Sequence, residues 1–281
     1  MKTTRFYLAL VYFSILVIAA SCGTKEADEL EADENEIPLI DEKKITAQNI
    51  FNSIPEPEVM NKIIEEAALE YDGQLLNDPH SINKYSTDDF KAMNLGVYGT
   101  DLSYTSVFQQ TQESILYLKC VNQLCRNLGI TGAFDEKTAD RFEINKENRD
   151  SLLSIITGAF NGADKYLREN QRPHASALLV AGGWIEGIYI ASQIGKSSGN
   201  LHIAKELAKQ STSLNDLITF LEAYKIDDDG KFVIAELKAL KAPFDSLSAK
   251  LSQPERNGNQ SVFEPLSSSV SILRKKIVQT P

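Results

Sequence analysis

The chain has 281 residues, enough to bury a sizeable core in one large domain or two small ones. Its hydrophobic content of 42% is that of a globular protein and excludes disorder throughout. A net charge of -10, a pI near 4.9 and the lack of any window interleaving basic with aromatic residues exclude a general nucleic-acid binder.

The first element in chain order is a signal peptide over 1–21. Lys2 and Arg5 form a positive start, Phe6–Ala20 is a short apolar run, and the stretch ends in small residues. The run is too short for a comfortable membrane span. Its ending, Ala19-Ala20-Ser21-Cys22-Gly23, resembles the lipobox of bacterial lipoproteins. That resemblance implies acylation of the Cys22 thiol with diacylglycerol, cleavage before it and acylation of the new amine. Ala19 departs from the Leu or Val that the family prefers there. The alternative is an ordinary secretory signal with Cys22 incidental. Acyl chains would hold the protein at the membrane, at about 0.8 kcal/mol per buried CH₂.

Residues 22–43 form an acidic tether, since Lys25-Glu26-Ala27-Asp28-Glu29 opens a charged run that cannot collapse. The Lys-then-acidic start looks like the surface-export signal of some Gram-negative lipoproteins. Gly23 in place of Asp favours the outer membrane by the sorting rule of enteric lipoproteins. Periplasmic and surface placement both stay open, as do the oligomeric state and the identity of any envelope protein partner.

Residues 44–281 read as one all-α domain without a convincing strand. Short helices are predicted over Thr46–Ser53 and Glu58–Leu76. Four long helices follow as an antiparallel bundle: Thr87–Leu128, Asp135–Asn170, Pro173–Gly195 and Leu201–Tyr224. Phe232–Leu251, bent at Pro243, and Val262–Val278 flank them. Arg274, Lys275 and Lys276 suit the negative end of the last helix. The third long helix, HASALLVAGGWIEGIYIASQIG, is apolar on all sides and is therefore the central rod. Cys120 and Cys125 lie five apart on one helix, about 140° around it, so free buried thiols are expected rather than a bridge.

Counting heights along the bundle brings Gly96 and Gly99, Gly158 and Gly162, and Gly182, Gly183 and Gly187 to one level. Each glycine costs about 1 kcal/mol against alanine inside a helix, so the coincidence has a reason. Close helix packing is the first explanation and a ligand pocket the second. The pocket residues would be Asp101, Tyr104, Glu186 and Tyr189. Two carboxylates on apolar stripes must be paired, share a proton or face a ligand. Arg149, on the apolar stripe of its own helix, is the candidate counter-ion.

No cofactor or metal is implied. The sequence contains no Glu-x-x-His pair and no phosphate-binding loop. Asp227, Asp229, Gly230 and Glu236 resemble a calcium-binding EF-hand loop, but Lys225 occupies its first ligand position, so a polar turn capping a helix is expected. The general plan is similar to Gram-negative lipoproteins with a helical mature domain. That likeness carries no activity with it; the expectation is a non-enzymatic binding or scaffold module in the cell envelope, with a small-molecule binder or sensor sited at the glycine level as the alternative.

Overall fold

The computed structural model describes residues 70–130, 132, 136–226, 228–252 and 259–279. The signal peptide, Cys22, the tether and the helix predicted over Thr46–Ser53 lie outside them. Glu58–Leu76 lies outside as far as residue 69. From Glu70 onward it is not an α-helix: Gly73–Leu75 and Pro79–Asn83 are short 3-10 turns. Asp72 and Asp78 cap them by accepting from the Gln74 and His80 N–H groups.

The all-α class is observed, and no strand occurs among the described residues. The helices are α1 (Asp88–Val107), α2 (Thr111–Asn127), α3 (Glu136–Ile144), α4 (Arg149–Glu169), α5 (Pro173–Ser198), α6 (Leu201–Glu222), α7 (Asp228–Ala239), α8 (Lys241–Leu251) and α9 (Glu264–Gln279). Of these, α1, α4, α5 and α6 are the four long ones. The first two predicted long helices are thus each divided, and the cause is local.

After α1 the chain turns at Gln109, which has φ 55°. The Gln109 N–H bonds the Ser106 carbonyl and the Gln110 N–H the Thr105 carbonyl, a Schellman stop with glutamine where glycine usually sits. Thr105 and Ser106 hydroxyls both bond back to the Leu102 carbonyl, which weakens the helix just before the stop. The division between α3 and α4 comes at Asn148, whose side chain accepts the Ser151 N–H at 3.0 Å and starts a new helix. Leu240 separates α7 from α8. The break lies before Pro243 because a proline ring clashes with the carbonyl four residues earlier. Asp229 and Gly230 are in the first turn of α7, so the calcium-loop alignment falls on helix.

The rod α5 is buried along most of its length and packs on α1, α4, α6 and α9. It outruns its predicted end: Gly199, at φ 63°, is the stop, while Gly195 is the seat of the Phe263 ring. One hydrophobic core runs from Leu76 to Val278, with Trp184, Phe244 and Phe263 among its largest members.

The glycine level resolves into two kinds of site. Gly96 and Gly182 lie where α1 and α5 touch backbone to backbone. A Cβ on Gly96 would stand 2.1 Å from the Leu179 carbonyl oxygen, and one on Gly182 would stand 1.9 Å from that of Met93. A Cβ on Gly99 would enter the Phe160 ring. Gly158 and Gly187, by contrast, face open space. Alanine at Gly96 or Gly182 should destabilise by about 1–3 kcal/mol or more, because rigid backbone must move. At Gly158 or Gly187 it should stabilise by about 0.5–1 kcal/mol through helix propensity. Urea denaturation of the four variants checks both signs.

Candidate functional site

Glu186 projects from the middle of α5 and is fully buried. Such a carboxylate needs a partner, and it is Arg274 of α9. Arg274 Nε donates to Glu186 Oε2 at 2.6 Å and one terminal nitrogen donates to Oε1 at 2.7 Å, a two-pronged pair. Arg149 is therefore not the counter-ion of Glu186; it opens α4. Arg274 also donates to the Leu75 carbonyl at 3.2 Å and lies 4.3 Å over the Tyr189 ring. Burial alone would lower the affinity of the guanidinium for its proton. The Glu186 charge and hydrogen bonds outweigh that, and Arg274 stays charged.

Asp101, on α1, is the second fully buried carboxyl of the site. Its Oδ2 accepts the Asn77 N–H at 3.1 Å, while Oδ1 meets no donor. Burial pushes its pKa well above the usual carboxylate range; the Glu186 charge adds to this, and Arg274 and the Asn77 N–H oppose it. Burial and the neighbouring Glu186 carboxylate thus favour the neutral form of Asp101. The cluster is then one acid, one carboxylate and one guanidinium, with no net charge.

Tyr104 faces a different task. Its hydroxyl accepts the Asp72 N–H at 3.2 Å, and its ring packs on Phe108 and Tyr71. Thus Asp101 and Glu186 come together, Tyr189 joins them through Arg274, and Tyr104 holds the segment that passes over them. That segment is also held by Tyr98, whose hydroxyl donates to the Asp78 carbonyl at 2.8 Å. Tyr117 on α2 donates to the Asn77 carbonyl at 3.0 Å, and the Tyr71 hydroxyl donates to Glu113. The Asn77 amide donates to the Tyr85 hydroxyl at 2.9 Å.

Arg274, Asn77, Tyr98 and Tyr117 are functional neighbours that the sequence reading does not single out. A signal for Arg274 exists: it falls four residues after Val270 and three before Ile277, on the buried face of α9. The other three carry no comparable mark. Cys120 and Cys125 are buried and free, and burial pushes their thiols up to about 11 and about 12. Neither is poised as a nucleophile. Among the described residues no group of three or more His, Cys, Asp or Glu side chains could hold a metal ion. Comparisons with protein-family models, curated proteins and solved structures found no match.

Two expectations follow from the cluster. Arg274→Met strands a buried carboxylate and should cost about 3–5 kcal/mol. Glu186→Gln should cost less, because Asp101 can release its proton and take over as counter-ion. Adding Asp101→Asn to Glu186→Gln should bring the loss back towards that of Arg274→Met. Urea denaturation at neutral pH measures all three.

The second expectation concerns pH. A carboxyl whose folded pKa is raised binds its proton more tightly in the folded state. Its contribution is fully present below the unfolded value near 3.8 and is lost as pH rises towards the folded value. Asp101→Asn mimics the neutral acid and escapes this loss. The melting temperature of the variant should therefore rise relative to the parent between pH 4 and pH 7.5, which paired thermal melts will show.

Proposed function

We propose that the chain is an envelope lipoprotein, anchored by acyl chains on Cys22 in the outer membrane, whose helical part works as a non-enzymatic binding or scaffold module. The observation that carries the non-enzymatic reading is the self-sufficiency of the buried cluster. Both oxygens of Glu186 are taken by Arg274, and burial beside Glu186 favours the neutral form of Asp101. The side chains best suited to acid–base work are occupied by one another. The small-molecule alternative has less support, since α1 and α5 close the glycine level by direct backbone contact at Gly96 and Gly182. The anchor rests on the Ala20-Ser21-Cys22 ending and the acidic residues after it.

The test is metabolic labelling with an alkyne analogue of palmitate, followed by membrane fractionation. The parent chain should take up label and sediment with outer membranes, and Cys22→Ala should lose both properties. A Cys22→Ala protein that still sediments with the membrane would overturn the anchor.

A further inference from the structure

We draw no further inference here: the strongest candidate, the surface patch on the outer face of α2 around the exposed Leu116, one helical turn beyond the Glu113 that accepts from Tyr71, carries nothing because nothing in the structure shows what covers it.

Discussion

The pair between Arg274 and Glu186 is the constraint on which the rest of the structure depends. It joins the central rod α5 to α9 across 88 positions of sequence, through two hydrogen bonds of 2.6 and 2.7 Å. The same guanidinium reaches Leu75 and covers Tyr189, so one side chain fixes three parts of the chain. A buried ion pair contributes little net stability against well-packed apolar residues, since taking both charges out of water is costly. Its effect is on choice. A packing of α9 that misplaced Arg274 would leave a carboxylate buried and alone, and such alternatives are excluded by several kcal/mol.

The pair depends in turn on how closely α1 and α5 approach. Gly96 and Gly182 let the two backbones touch, and Thr100 donates to the Gly183 carbonyl at 3.1 Å across the same contact. One residue beyond Thr100 on α1 is Asp101, and four residues beyond Gly182 on α5 is Glu186. Close approach of the backbones brings two carboxyls together that would otherwise repel. Burial beside Glu186 favours the neutral form of Asp101, which relieves that repulsion, while Glu186 accepts from Arg274. Packing, protonation and ion pairing are thus three aspects of one contact between small residues.

Much of this was legible in the sequence. A helix apolar on all sides with Pro173 at its start had to be buried, and a lone Glu186 on it had to be paired, protonated or turned to a ligand. Gly96 and Gly182 marked close approach, while Gly158 and Gly187 at the same level face open space, and the spacing of Cys120 and Cys125 left them unbridged. Other features were not legible for identifiable reasons. Gln109 adopts a left-handed conformation usually left to glycine, so the hairpin between α1 and α2 carries no composition signal. Arg274 stands beside two lysines near a helix end, where interaction with the helix dipole explains it well enough. The segment over 71–83 is held largely through its backbone, and backbone hydrogen bonds leave no trace in residue identity. Tyr98 and Tyr117 look like ordinary core aromatics until a chain is seen passing over their hydroxyls.

The place of Arg274 in the last described helix has a consequence for the order in which the molecule can form. As the chain emerges from its N-terminus, α1, α4, α5 and α6 can condense on one another, for most of their contacts involve apolar neighbours. Glu186 is then enclosed without a cation, and the segment over 71–83 lacks its hold at Leu75, 199 positions away from Arg274. Until α9 arrives, the nascent bundle must either carry a second proton in its core or leave its waist open to water. Contacts of such long separation slow folding, because the chain must be searched as a whole before they form. A molecule built this way has its waist sealed by α9, long after the helices that enclose it have left the point of synthesis.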